Sequence, residues 1–124
     1  MTTGGFEILR KQFGTFEQSF VDGVNLVVAE SEKEGLEYNQ TAYVLATAYH
    51  ESAGTFLPVK EAYWLSENWR KQNLRYYPYY GRGLVQITWK ENYSKAGNKL
   101  GYGEQFANNP DMVMDQDISV KILV

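Results

Sequence analysis

The sequence predicts a mainly α-helical single domain carrying one small extended segment, on three observations. Apolar residues recur at helical spacing over residues 16–28 and again over 39–51. Between residues 56 and 80 that periodicity is lost, and Pro58, Pro78 and the run Tyr76-Tyr77-Pro78-Tyr79-Tyr80 read as irregular chain. The 124 residues hold no repeat, linker or low-complexity tract and suffice for one buried core.

Each element follows from its punctuation. Thr15 reads as the N-cap of a long helix, with Gln18 at capping-box spacing and Phe16, Phe20, Val24, Val27 and Val28 on one face. Gly35 stops it. A second helix starts near Asn39 and is apolar on nearly all sides, so it is expected to be the buried central helix, ended by Gly54. Glu51 falls in its last turn, where the carbonyl end of the helix dipole disfavours a negative charge; a group that must arrive protonated suits that place. A short helix fits residues 66–71. Gly81-Arg82-Gly83 is expected to be a tight turn and Leu84-Val85-Gln86-Ile87 a short extended segment. Thr88, with Glu91 three residues on, then caps a third helix ending near Gly101. Pro110 suits the first position of another helical turn, and Asp117 opens a last amphipathic stretch over 118–124.

Composition narrows the function. Twelve Lys and Arg against fifteen Asp and Glu leave a net charge of −3, which argues against a polyanion as main partner. A nucleic-acid site built on Arg70, Lys71, Arg75 and the tyrosine run is therefore the weakest reading. No apolar run approaches a membrane span, and residues 1–5 carry no Sec-type signal. Cysteine is absent, which excludes a disulfide scaffold, a Cys-based zinc site and a Cys nucleophile, and suits synthesis in a reducing cytoplasm. Ten Tyr, six Phe and three Trp are many for this length, and six of the Tyr and all three Trp crowd between Tyr63 and Tyr93.

His50-Glu51 does not extend to the His-Glu-x-x-His of a zinc protease, because position 54 is Gly and the chain has one His. Gly81-Arg82-Gly83 does not complete a dinucleotide fingerprint, because position 86 is Gln. No metal or other cofactor is expected. Carboxylate pairs remain. Glycoside hydrolysis needs one protonated and one ionised carboxyl, and Glu51 with Glu61 or Glu67 supplies such a pair across the Gly54 turn. Trp64, Trp69, Tyr79, Tyr80 and Trp89 could stack on sugar faces or simply pack the core.

Two segments carry a resemblance. Ala48-Tyr49-His50-Glu51-Ser52-Ala53-Gly54 is similar to the His-Glu-[Ser/Thr]-x-Gly segment of glycoside hydrolase family 19. Tyr80-Gly81-Arg82-Gly83-Leu84-Val85-Gln86-Ile87-Thr88-Trp89 resembles that family's second signature, with Asn92-Tyr93 following at its spacing. Asn109-Pro110-Asp111 and Asp117-Ile118-Ser119 resemble its downstream part. The resemblance implies a lysozyme-like α+β fold whose extended segment or hairpin lines a cleft. It implies Glu51 as general acid, Glu61 as base ten residues on with Glu67 in reserve, and Thr88 as the hydroxyl that holds the attacking water. His50, Tyr80, Gln86, Trp89 and Asn92 are implied to line the substrate site. The mechanism would invert configuration by single displacement.

The absence of cysteine and the short stretch between the motifs resemble the phage and bacterial lysozymes of the family more than its plant-type chitinases. The leading expectation is therefore a monomeric endolysin that cuts β-1,4 bonds of peptidoglycan, made in the cytoplasm and acting on the cell wall or periplasm. A chitinase, and a catalytically inactive glycan-binding domain, are the alternatives. Family members continue with further helices past the point where this chain ends. The single catalytic domain, 1–124, is accordingly expected to be a fragment or a minimal enzyme lacking one side of its cleft.

Overall fold

The computed structural model describes residues 1–14 and 17–124. The chain runs α1 (Thr3–Phe13), α2 (Gln18–Lys33), α3 (Tyr38–Glu51), β1 (Val59–Lys60), α4 (Glu67–Asn73), β2 (Arg82–Gly83), α5 (Lys90–Lys99), α6 (Gln105–Asn108), a 3-10 turn (Pro110–Met114) and α7 (Gln116–Leu123). The two short strands pair antiparallel, Val59 opposite Gly83 and Lys60 opposite Arg82. The mainly α expectation holds. No helix among the described residues is long and apolar enough to cross a membrane.

Helix ends follow local capping chemistry. Thr2 accepts the Gly5 N–H and starts α1, which the sequence pattern did not announce. The expected Thr15 cap and Phe16 lie outside the described residues; α2 begins at Gln18, after Glu17. Gly35, at φ +76°, ends that helix, its N–H bonded to Glu32 O and the Leu36 N–H to Ser31 O. Glu37 and Gln40 close a capping box on α3. Ser66 caps α4, and Asp115, rather than Asp117, caps α7 by accepting the Ile118 N–H.

Three expectations are corrected. Helix α3 is not buried on all sides: Val44, Leu45 and Ala48 pack inward, whereas Tyr38 is 95% and Tyr43 76% exposed. Its apolar count rested on tyrosines, which carry a hydroxyl into water readily. Arg82-Gly83 is strand rather than part of a turn, and the turn falls on Leu84–Gln86, closed by mutual hydrogen bonds between Arg82 and Ile87. Thr88 does not cap α5; the residue before that helix is Trp89, whose φ of +72° turns the chain one position later.

The Leu84–Ile87 turn joins two hydrophobic cores. Leu84 is fully buried with Phe6, Val24, Val27, Ala48, Phe56 and Val120 in the first. Ile87 packs on the second, formed by Tyr93, Phe106 and Val113. Ser119 Oγ accepts the Leu84 N–H at 2.7 Å, locking the turn onto α7. A Cβ on Gly83, already at φ +88°, would lie 2.7 Å from that oxygen, so the turn requires glycine.

Arg82 organises the region around β2. Its side chain is buried, with Nε on Asp111 Oδ1 at 2.9 Å and Nη1 on Pro78 O and the Tyr93 hydroxyl. Its guanidinium lies 3.7 Å from the Tyr80 ring centroid. Lys60 adds a second ion pair to Asp111 at 3.3 Å. Burial works against ionisation of Asp111, but the charges of Arg82 and Lys60 outweigh it and hold the carboxyl below its ordinary value of 3.8. A depressed carboxyl adds stability that is present above that ordinary value and lost as pH falls through the folded-state one. Asp111→Asn is expected to cost roughly 1–2 kcal/mol at pH 7, less than a fully buried pair because the Asp111 side chain is 60% exposed. Urea unfolding of parent and variant should converge as pH drops below 3.8; a gap that persists there would mean that shape, not charge, is what Asp111 supplies.

Candidate active site

Glu51 is the last residue of α3 and is half-buried. Its carboxylate makes no hydrogen bond or ion pair with the described residues. The chain then reverses through Ala53, Gly54 and Phe56, all at positive φ. Buried Ser52 supports that reversal: its Oγ accepts the Phe56 N–H at 2.9 Å, and its carbonyl accepts the Thr55 hydroxyl at 2.8 Å. The reversed chain enters β1 and delivers Glu61 immediately after it.

Glu61 is fixed from several sides. Its N–H donates to Gly81 O at 2.7 Å, while its own Oε2 accepts the Gly81 N–H at 2.9 Å. Its Oε1 accepts the Tyr76 hydroxyl at 2.5 Å. Buried Arg70 of α4 reaches beneath the loop, donating to Glu61 O at 2.8 Å and Ala62 O at 3.0 Å. Burial, then the hydrogen bond and charge of Glu61, push the Tyr76 phenol up to about 12.

Glu67 is tied differently. It accepts the hydroxyls of Tyr77 and Tyr80 and pairs with Arg70 at 3.1 Å. Burial works against its ionisation, yet those hydroxyls and the charges of Lys60 and Arg70 hold it below its ordinary value. Its bonds serve the packing of α4 against the tyrosine run.

The remaining candidates divide. Gln86, at φ +54°, donates its side-chain amide to Val59 O at 2.8 Å and Gly83 O at 3.0 Å, which ties the turn to β1. A Cβ on Gly81 would meet its Oε1 at 2.7 Å. The Thr88 hydroxyl donates to Gln86 O at 3.0 Å, and Asn92 donates to Thr88 O at 2.8 Å. Trp89 is 41% exposed, with the Tyr76 ring 5.1 Å and the Arg75 guanidinium 5.5 Å from it. Tyr80 is fully buried beside Arg70 and Arg82, so its ring offers no face to a sugar and acts from behind the site. Tyr63 and Trp64, just beyond Glu61, are 58% and 71% exposed.

Glu61, Gln86, Thr88 and Trp89 thus share one framework, the β1–β2 pair and its turn. His50, which is exposed, and Glu51 stand at the end of α3, joined to that framework by residues 52–58 and, among the described residues, by no side-chain hydrogen bond. Sequence reasoning missed Tyr76, Arg70 and the Arg82–Asp111 pair. The Gly-Arg-Gly spacing could have flagged Arg82; no sequence signal separates Tyr76 from its neighbours.

The mainly helical fold with its short antiparallel pair is lysozyme-like. The profile of the chitinase class I family, glycoside hydrolase family 19, matches residues 31–124, and the chain belongs to that family. It is 47% identical over 47 residues to an acidic 26 kDa endochitinase of Solanum lycopersicum, covering 37% of this chain and 19% of the relative. An inactive chitinase-like protein of Hevea brasiliensis is 45% identical over 47 residues, 37% of this chain and 14% of that one. A bacterial family 19 chitinase structure shares the fold with a TM-score of 0.60 at 24% identity, over 92% of this chain and 62% of its own. The chain therefore spans only part of the length of these relatives.

The hydroxyl of Thr88 now has a defined partner to lose. Thr88→Ala is expected to lower stability by roughly 1 kcal/mol by leaving Gln86 O short of a donor, and Thr88→Ser to restore it. Equal unfolding midpoints for parent, Ala and Ser would show that this hydrogen bond carries no net stability.

Proposed function

We propose that the chain hydrolyses β-1,4 bonds of a polymer containing N-acetylglucosamine by single displacement, with chitin the favoured polymer. The observation that carries the reading is the contrast between two carboxylates: Glu51, half-buried with no partner among the described residues, and Glu61, held by Tyr76 and Gly81. The first is free to carry a proton to the glycosidic oxygen. The second is aligned to accept one. Because Thr88 gives its hydroxyl proton to Gln86 O, its oxygen is left as an acceptor. A water can then donate one hydrogen to Thr88 Oγ1 and the other to Glu61. Its free lone pair attacks the anomeric carbon as the C–O bond breaks. Glu51 protonates the leaving oxygen, Glu61 takes the water's proton, and configuration inverts. Such a pair works at a carboxyl separation of roughly 6.5–9.5 Å.

Chitin is favoured because the relatives are chitinases by name. Peptidoglycan is kept as second substrate on one observation, the cysteine-free chain with a short stretch between its motifs.

Glu51→Gln keeps the shape of the side chain and removes its proton. The rate is expected to fall by roughly two to four orders of magnitude with the fold intact. Reducing-sugar release from chitin and turbidity loss of permeabilised Gram-negative cells, run in parallel, separate the polymers. Proton NMR of the first products should read the α-anomer. A parent protein that binds chitin yet releases no sugar from either polymer would instead be a binding domain.

A further inference from the structure

We infer that Tyr76 is a positioning residue that sets the plane of the Glu61 carboxylate and ties it to the exposed face of Trp89. The inference rests on the reading of Glu61 as the base and adds a residue to it.

A glutamate at the end of a two-residue strand has three side-chain torsions, and its terminal one is broad. One hydrogen bond would leave the carboxylate free to swing about the bonded oxygen. Here the two oxygens are held by different groups on different pieces of chain: Oε1 by the Tyr76 hydroxyl at 2.5 Å, and Oε2 by the Gly81 N–H at 2.9 Å. That fixes the plane as well as the position. Each oxygen keeps a second lone pair, so a water can still be accepted.

Tyr76 is itself held. Its carbonyl accepts the Tyr79 N–H at 2.8 Å, and the Tyr79 carbonyl accepts the Trp89 N–H at 2.9 Å. Its ring lies 5.1 Å from the Trp89 ring at an interplanar angle of 57°. The residue thus has two separable functions: the ring packs on Trp89, and the hydroxyl reaches Glu61. A phenol pushed up to about 12 keeps its proton at any working pH, so it remains a donor. Packing alone would be met by phenylalanine. Only the hydroxyl needs tyrosine.

The neighbouring tyrosine supplies a control. Tyr77 donates its hydroxyl to Glu67, not to Glu61. Tyr76→Phe, Tyr77→Phe, Glu61→Gln and the Tyr76→Phe/Glu61→Gln double variant would be assayed on soluble chitin oligomers, with circular dichroism melts on each. For Tyr76→Phe, kcat is expected to fall on the order of tenfold with KM within twofold of the parent, because orientation of the base matters in the transition state. Tyr77→Phe should keep the parent kcat. The double variant should be no slower than Glu61→Gln, since Tyr76 acts only through Glu61. Glu61→Gln inactive with Tyr76→Phe at the parent kcat would overturn the positioning role and leave the base standing. A double variant tenfold slower than Glu61→Gln would also overturn it. Glu61→Gln at the parent rate, or a parent that cleaves no oligomer, would remove the base and Tyr76's role together.

Discussion

Arg82 lies buried where three other pieces of chain meet its strand, and its guanidinium is bonded to all of them: Pro78 O in the tyrosine run, the Tyr93 hydroxyl in α5, and Asp111 in the 3-10 turn. The face of the Tyr80 ring closes the remaining side. A planar cation with five donors can satisfy such a set at once, and it cannot escape burial by losing its proton. Lysine offers a single point charge and could not reach the same partners. Arg82 pairs with Ile87 through the backbone as well, so the same residue closes the turn that plugs both cores. The framework holding Glu61, Gln86 and Thr88 is thereby anchored from beneath by one side chain.

A second guanidinium completes the foundation. Arg70 is buried and donates to the carbonyls of Glu61 and Ala62 while pairing with Glu67. Ala62 sits at φ +52°, a conformation that needs outside support in a residue with a side chain. Tyr80 lies between the two cations, 5.3 Å from Arg70 and 3.7 Å from Arg82, and its hydroxyl points to Glu67. Each buried positive charge has one carboxylate, Asp111 or Glu67, that remains partly in water. The arrangement supplies the compensating charge without burying the acids outright, which limits the desolvation cost of the pair.

Much of this was legible from residue patterns. Helices α2, α3 and α4, the Gly35 stop and the Pro110 turn follow from periodicity and capping residues that act locally. What escaped depends on partners distant in sequence. Helix α1 carries Gly4 and Gly5 in its first turn, poor helix formers, and is held by Phe6 and Leu9 packing in the first core. Thr88 and Glu91 have capping-box spacing, but the Trp89 N–H is taken by Tyr79 O, so the chain turns one residue late and the Thr88 hydroxyl is spent on Gln86. Tyr80 stands inside the family signature, which invites a substrate role. Its burial arises from two arginines, 10 residues before it and 2 after, whose approach no periodicity encodes.

The same logic bears on the choice among three glutamates, which are chemically alike and close in sequence. Their environments separate them before any substrate is considered. Glu67 answers to Arg70 and two hydroxyls, and losing its charge would unbalance a buried cation; a group so bound is costly to protonate in every turnover. Glu61 is held by two neutral donors and by no cation within ion-pairing distance among the described residues. Glu51 is the last residue of α3, and its carboxylate has no hydrogen-bond donor among the described residues. The two carboxyls thus differ in how firmly the protein holds them, and that contrast is the one the proposed acid–base pair uses. The third is committed to buried Arg70, which favours Glu61 over it in the proposed pair.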